Sequence, residues 1–244
     1  MFLLTRAIVF RQTRYSDTSL VVKLLTEQSG LMSILVKGAH GPKAKIRASL
    51  FQPLNLLELV IDHKEKSELH YAREARVEYA YASIPGDIRK TSILLFLNEL
   101  LYKSIREEAA HVELFRFIHD QLVFLDKEVE ITGSYHLLFA LHLTHLLGFF
   151  PQGNHDGHAE TVFSLPEGQF TRSRELFDDQ VITGRECEFF AKLLPVMPGE
   201  HHSIVLPSAI RNALLEKILV YYRLHLPITG EFKSHTVLHE VLQK

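Results

Sequence analysis

The fold of this chain is decided by residues 19–37, which read Ser-Leu-Val-Val-Lys-Leu-Leu-Thr-Glu-Gln-Ser-Gly-Leu-Met-Ser-Ile-Leu-Val-Lys. Two aliphatic and β-branched runs, at 19–26 and 31–37, flank a four-residue link that ends in Gly30. A short link of this kind between two such runs is typical of a β-hairpin. The stretch therefore predicts two consecutive antiparallel strands.

Further strands are predicted on both sides of this hairpin. They lie at residues 5–10, 53–61 and 69–78, and a loop rich in glycine, alanine and lysine occupies 38–47. Five strands within the first 80 residues suit a small closed barrel, whereas a sandwich usually needs about seven strands. The sequence thus predicts an N-terminal five-stranded barrel.

The hydrophobic period changes after residue 80. Apolar residues then recur at three- and four-residue intervals, which is typical of helices that pack on one another. Helices are predicted at 88–108, 111–125, 133–147, 183–194, 207–226 and 235–242. A small β-hairpin at 162–170 is predicted within the break at 152–173. We therefore predict an α+β, two-domain chain, with a barrel domain at 1–80 and a helical domain at 81–244.

Composition excludes several classes of protein. The single cysteine excludes an internal disulfide framework and a Cys-rich zinc module. The sequence has neither an 18-residue apolar run nor a basic segment ahead of its apolar start, so we expect no membrane span, no signal peptide and a cytoplasmic location. It also lacks the GxSxG, Walker A and GxGxxG motifs. We expect no catalytic residues and no enzymatic activity.

Charge is distributed unevenly along the chain. The first 52 residues carry eight Lys/Arg and two Asp/Glu, a formal charge of +6, while the whole chain sums to −2 and the remainder to −8. A local positive field attracts polyanions whatever the net charge. This asymmetry predicts that the barrel binds nucleic acid and that the acidic helical part serves another purpose. The alternative is a merely solvated basic face.

The predicted DNA-binding residues combine phosphate-binding cations with a stacking aromatic ring. They are Arg11, Arg14, Tyr15, Lys23, Lys37, Lys43, Lys45 and Arg47. Tyr15 stands in a polar loop and is the expected stacking residue. Phe10 and Phe51 are alternatives for stacking, although both also suit a barrel core.

Histidine is abundant, with 15 residues, and four pairs have a spacing at which both rings could approach one metal ion. A zinc site needs three or four ligands, and each pair offers only two. The pairs are His142/His145, His155/His158, His201/His202 and His235/His239. Cys187 lies between charged residues of a predicted helix, where an ordinary structural role is expected. Asp178 and Asp179 are adjacent but belong to no carboxylate cluster. We therefore expect no metal and no other cofactor.

Three segments resemble the RecO family of DNA repair (recombination mediator) proteins. Residues 11–38 begin Arg-x-x-Arg-Tyr-Ser-Asp-Thr-Ser and end Val-Lys-Gly. Residues 146–151 read Leu-Leu-Gly-Phe-Phe-Pro. Residues 221–238 contain Tyr-Tyr-Arg-Leu-His and end Lys-Ser-His-Thr-Val-Leu. The order and spacing of these segments carry the resemblance, which spans essentially the whole chain.

The resemblance implies an oligonucleotide-binding (OB) barrel followed by a helical domain, and a function without catalysis. It implies a bacterial protein, active at the nucleoid during repair, that binds single- and double-stranded DNA and anneals complementary strands. It also implies RecR-type and RecF-type partners, with which such a protein loads a recombinase onto coated single strands. The protein that coats these strands is the single-stranded-DNA-binding protein, and the resemblance implies contact with its acidic C-terminal tail.

Two further expectations follow. Some family members hold zinc with four cysteines in the segment that corresponds to 152–173, and this chain has none there, so we expect no structural zinc. The acidic tail requires a basic pocket, for which weak candidates are Arg211, Lys217, Arg223 and Lys233. The alternatives to DNA annealing are a non-enzymatic adaptor whose barrel binds protein and a metal-dependent nuclease.

Overall fold

The structure, a computed structural model, describes residues 1–41, 44–63, 69–106, 108–172 and 178–242. The chain forms two compact units. One unit comprises Met1–Asp87 and Ile105–Lys127, and the other comprises Ile88–Ser104 and Glu128–Lys244. The chain thus crosses between the units more than once, and the predicted division at residue 80 stays a prediction.

The first unit contains a closed barrel with the strand order β1-β2-β3-β5-β4. Its strands are β1 (Phe2–Arg14), β2 (Leu20–Thr26), β3 (Gly30–Val36), β4 (Leu56–Asp62) and β5 (Leu69–Tyr79). Strands β3 and β5 are parallel, and the other pairs are antiparallel. The predicted five-stranded OB-type barrel is confirmed. Strand β1 is longer than predicted because its first half pairs with β4 and its second half with β2.

Alternate residues of the strands fill the barrel interior. The core combines Ala7 and Val9 of β1 with Val22, Ile34 and Leu59 of the neighbouring strands, among others. Phe51 lies in the same core, and Phe10 is also buried. Both phenylalanines therefore contribute to packing and are not available for stacking on a base.

The link between β2 and β3 turns at Gly30, which has a positive φ of 66°. A Cβ at this position would lie 2.3 Å from the carbonyl oxygen of Ala109. Glycine is thus required both by the backbone conformation and by the close approach of another segment.

Helix α2 (Val112–Lys127) belongs to the barrel unit. Near its end, the carboxylate of Asp126 accepts hydrogen bonds from the backbone amides of Ala82, Ser83 and Ile84, at 2.8–3.0 Å. The hydroxyl of Tyr79, at the end of β5, donates to the same carboxylate over 2.9 Å. These contacts attach the segment that leaves the barrel to the end of α2.

The second unit is mainly helical. It contains α1 (Ile88–Ser104), α3 (Tyr135–Leu146), α4 (Gly184–Leu193), α5 (Ser208–His225) and α6 (Ser234–Leu242). The predicted hairpin is present as β6 (Val162–Ser164) and β7 (Gln169–Thr171), and β8 (Val181–Ile182) adds a third strand that is too short to be recognised from periodicity. Within the described ranges, no helix is long and apolar enough to cross a membrane.

Helix α3 is the central element of this unit, since nine of its twelve residues are buried. The two tyrosines of α5 bind α3 and the segment that follows it. Tyr222 donates a 2.6 Å hydrogen bond to the carbonyl of Ala140, and Tyr221 donates one of the same length to the carbonyl of Phe149. Burial raises the pKa of Tyr221 to about 12, so its hydroxyl remains a donor at neutral pH.

Candidate nucleic-acid interface

The register of the barrel places two of the predicted DNA-binding residues side by side. Lys23 lies between Val22 and Leu24, which point into the barrel, so its own side chain points outward. Its partners in the neighbouring strands are Arg11 of β1 and Ser33 of β3. Directly paired residues share one face of a sheet, and Arg11 and Lys23 therefore form a cationic pair of positions on the outer face.

A β-bulge decides that Arg11 faces outward. Ala7 and Val9 both point into the core, so strict alternation would place Arg11 inside as well. The register of β1 against β2 shifts between Val9 and Arg11, and Phe10 is the extra residue. Bulges of this kind re-aim the side chains that follow them. Arg11 is exposed as a result.

A second set of predicted residues gathers at one end of the barrel. Arg14 ends β1 and Tyr15 begins the loop to β2, where its side chain is 64% exposed. The loop after β3 lies beside this loop, because the amide of His40 donates to the carbonyl of Thr18 over 3.3 Å. Lys37, Lys45 and Arg47 stand along this second loop with exposed side chains.

A groove of about 540 Å³ opens between these cations and strand β5. Its lining includes Lys37, Lys45, Tyr71 and Arg73, with Asp62 as the acidic member. The Lys37 ammonium lies 4.7 Å from the centroid of the Tyr71 ring, a cation–π contact, and Arg73 forms an ion pair with Asp62. Cations and a partly exposed aromatic side chain along one groove suit a phosphate backbone and its bases.

Two of these groove residues were missed at the level of sequence. Tyr71 and Arg73 follow the basic N-terminal block and belong to the part of the chain with net negative charge. They join the groove because β5 pairs in parallel with β3, with Leu35 opposite Tyr71. The sequence did contain a signal for them, because a tyrosine and an arginine two positions apart in the predicted strand at 69–78 share one face of that strand.

One member of the basic block, Arg6, stands apart from this interface. Arg6 forms two hydrogen bonds to Glu27, at 2.9 and 2.7 Å, and its guanidinium lies 5.4 Å from the centroid of the Phe115 ring. The hydrogen bond from Arg6 lowers the pKa of Glu27, and Arg6 thus has a structural role. Lys43, which was predicted to bind DNA, lies outside the described residues.

The four weak candidates for a protein-tail pocket are not gathered on one face. Arg211, Lys217 and Arg223 follow one another on α5 at six-residue intervals, a rotation of about 240° each time. Arg211 is buried and donates to the carbonyl of Leu242 over 2.9 Å. Lys233 is exposed, and its backbone amide donates to Glu99. The role of these residues in partner binding stays a prediction.

The loop that precedes β6 is organised by Asp156. Its carboxylate accepts hydrogen bonds from Arg172 and Thr161 and from the amide of His158. These bonds hold the pKa of Asp156 well below its usual range, with Thr161 as the largest contributor. His155 and His158 stand in the same loop. Two imidazoles without a cysteine do not fit a site built from four thiolates.

The His201/His202 pair and Cys187 have defined surroundings in the structure. Among the described residues, one cluster has three metal-binding side chains within reach of each other, and it combines Glu128 with His201 and His202. This grouping was missed because Glu128 is distant in sequence. Cys187 is buried, and burial raises its pKa to about 11. Its thiol therefore stays protonated at neutral pH, which makes it a poor nucleophile.

Family models and individual proteins that match this chain all belong to one family, and the matches extend along almost the whole chain. Residues 1–81 match the family described as "Recombination protein O N terminal", and residues 85–234 match "Recombination protein O C terminal". The DNA repair protein RecO of Bacteroides fragilis is 35% identical over 237 residues, 97% of this chain and 98% of that protein. The protein of the same name from Christiangramia forsetii is 33% identical over 243 residues, 99% of both chains.

Proposed function

The chain belongs to the RecO family of DNA repair proteins, and we propose that it is a non-catalytic recombination mediator that binds DNA and anneals complementary strands. The observation that carries this proposal is the cationic groove and loop pair at one end of a closed OB barrel. OB folds bind oligonucleotides across strands 2 and 3 and the adjoining loops. In this chain Lys23 belongs to β2 and Tyr15 to the β1–β2 loop, and Lys37 directly follows β3.

Annealing requires that a strand be held without masking its base edges. Lys/Arg contacts to phosphate supply affinity that does not depend on sequence, and aromatic rings hold bases by their faces. In the proposed complex, Arg11, Lys23, Lys37, Lys45 and Arg47 bind phosphates, and Tyr15 stacks on a base. The Watson–Crick edges then remain free to meet a complementary strand.

The family resemblance supplies the rest of the proposed role. The protein would act with RecR-type and RecF-type partners and would load a recombinase onto strands coated by single-stranded-DNA-binding protein. The acidic tail of that coating protein is the proposed contact, and exposed Arg223 and Lys233 are the remaining accessible candidates for it. These partner contacts rest on the family relationship, whereas the DNA contact also rests on the geometry of the barrel.

A charge-reversal variant tests the DNA-binding surface. Lys37→Glu/Lys45→Glu/Arg47→Glu should weaken binding to a fluorescent single-stranded oligonucleotide, measured by anisotropy between 50 and 200 mM salt. The magnitude of the negative slope of log K against log salt decreases by about 0.7 for each lost phosphate contact. The loss of three contacts should therefore make the slope shallower by about 2. The matched control is Arg185→Glu/Lys192→Glu/Arg223→Glu, which makes the same change of charge on exposed helical residues. Equal slopes for the two variants would refute the assigned surface.

A strand-annealing assay tests the activity itself. Complementary oligonucleotides, one with a donor dye and one with an acceptor dye, should anneal faster with the protein than without it. The Lys37→Glu/Lys45→Glu/Arg47→Glu variant should lose this acceleration. The same assay with strands coated by single-stranded-DNA-binding protein addresses the mediator role. Salt-insensitive or absent DNA binding by the wild-type protein would favour the adaptor alternative.

A further inference from the structure

Three side chains in the helical unit converge although they come from distant parts of the sequence. Glu128 follows α2, and His201 and His202 lie in a 3-10 helix at Pro198–Ser203. One ligand atom from each of the three lies within 4.8 Å of the other two. We propose that Glu128, His201 and His202 form a binding site for a divalent transition metal, with zinc as the preferred ion.

The donor set matches zinc chemistry. Imidazole nitrogen and carboxylate oxygen are standard zinc ligands, and imidazole also suits copper and nickel. In tetrahedral coordination with bonds of 2.0–2.2 Å, two ligand atoms stand about 3.3–3.6 Å apart. The Nε2 of His202 is 3.8 Å from a carboxylate oxygen of Glu128. Small side-chain rotations therefore bring the ligands to bonding distance, and water completes the coordination.

We assign Nε2 as the ligand atom of His201, because Thr132 occupies the other ring nitrogen. The Thr132 hydroxyl lies 3.0 Å from the Nδ1 of His201 and 3.1 Å from the carbonyl oxygen of the same residue. When the hydroxyl donates to that carbonyl, it accepts from Nδ1–H, and the lone pair of the ring is then on Nε2. Metal-binding histidines are usually held in this way through their second nitrogen.

The surroundings of Nε2 agree with this assignment. The atom is buried, so an ion bound to it would lie partly inside the protein. The amide of Thr132 also points at Nδ1 over a longer 3.4 Å, a contact that favours the opposite tautomer. The free protein can thus hold either tautomer, and a bound metal selects the one with its lone pair on Nε2.

The other two ligands allow the ion to enter from solvent. The side chain of His202 is 52% exposed and that of Glu128 is 28% exposed. The Lys90 ammonium donates to the backbone carbonyl of Glu128, and its positive charge lowers the affinity for a cation. The carboxylate oxygen nearest His202 also accepts from the amide of Val129 over 3.2 Å, so the ion would share that oxygen through its second lone pair. A bound ion would attach the 3-10 helix to the segment after α2. It would stabilise the folded unit by an amount that rises with the logarithm of the free-ion concentration above Kd.

The test is zinc binding to the purified chain, measured by equilibrium dialysis and elemental analysis after removal of metal. We expect one tightly held zinc ion per chain, which His202→Ala and Glu128→Gln each abolish. His202 is the preferred target because it is exposed and its replacement should not affect folding. The control is His155→Ala/His158→Ala, which removes two histidines from a surface loop and should leave the tight site intact. Wild-type stoichiometry and affinity in His202→Ala would overturn the proposal.

Two further measurements separate a built site from surface histidines. Thr132→Ala should weaken zinc affinity by about 10- to 100-fold, the usual effect of losing a group that orients a metal ligand. Zinc should raise the melting temperature of the wild-type chain and leave that of His202→Ala unchanged. Unaltered affinity in Thr132→Ala, or an equal thermal shift in both proteins, would contradict the assigned geometry.

Discussion

Replacement of Asp126 by asparagine should destabilise the barrel unit strongly. The Asp126 side chain is buried, with 4% of the residue exposed, and it accepts hydrogen bonds from the amides of Ala82, Ser83 and Ile84 and from the hydroxyl of Tyr79. The substitution keeps the shape of the side chain. It removes the negative charge and converts one acceptor oxygen into a donor.

The cost can be worked from the three backbone bonds, since the Tyr79 hydroxyl can turn and accept from the new NH₂ group. If the amide oxygen of asparagine replaces Oδ1, it keeps the bonds from Ser83 and Ile84 but loses their charge assistance, about 1 kcal/mol each. The new NH₂ group then faces the amide of Ala82, a buried donor that loses its acceptor at a cost of about 1–3 kcal/mol. The expected loss in the free energy of unfolding is therefore about 3–5 kcal/mol.

The pH dependence has a defined sign. Burial alone would raise the pKa of Asp126, but the amides of Ala82, Ile84 and Ser83 and the Tyr79 hydroxyl outweigh it and lower the pKa to about 2. Because the folded-state pKa lies below the unfolded value of about 3.9, the carboxylate stabilises the fold above pH 4. This contribution is lost as the pH falls through about 2. The difference between wild type and variant should therefore shrink below pH 4.

The assay is urea unfolding followed by far-UV circular dichroism at several pH values, since the chain has no tryptophan. The matched control is Asp120→Asn, a replacement of an exposed carboxylate on the same helix. This control should change the free energy of unfolding by less than about 0.5 kcal/mol, as surface substitutions usually do. The reasoning is refuted if Asp126→Asn is no more destabilising than the control, or if its effect is the same at pH 7 and pH 3.

Three other outcomes are expected. Tyr15→Ala should weaken single-stranded DNA binding by about 1–3 kcal/mol, the value of one stacked base, whereas Tyr15→Phe should retain it; equal anisotropy titrations for the two variants would exclude stacking. Gly30→Ala should lower the thermal unfolding temperature far more than Gly38→Ala. Both glycines have a positive φ, but only at Gly30 would the added Cβ have backbone atoms within 4 Å. Cys187 should resist alkylation at pH 8 in the native protein and react after unfolding in urea, since its pKa is raised to about 11 by burial; rapid native labelling would contradict this.

Local pattern was sufficient for most of the secondary structure. The strands of the barrel and the helices that follow were predicted within a few residues because side-chain periodicity is a property of neighbouring positions. The hairpin at 19–37 was recognisable because the turn residue Gly30 lies between two regular runs. β8 and the 3-10 helix at Pro198–Ser203 were not predicted, since neither is long enough to establish a period.

The composition of the candidate sites was only partly predictable. Basic residues could be counted from the sequence, but a count does not distinguish Arg6, which is engaged by Glu27, from Lys45, which faces the groove. The buried Phe10 and Phe51 were ambiguous for the same reason, because an aromatic residue in a strand suits either face. Burial and ion pairing depend on which segments meet, and this information is not present in a local window.

The sequence by itself determined the class of the fold, the basic character of the barrel and the family to which the chain belongs. Tertiary structure alone decided that a bulge at Phe10 turns Arg11 outward, that parallel pairing of β3 and β5 adds Tyr71 to the groove, and that Glu128 meets His201. The physical reason is the range of the interactions. Periodicity and charge are encoded residue by residue, whereas register, closure of the barrel and convergence of distant side chains arise only when the whole chain buries its apolar surface.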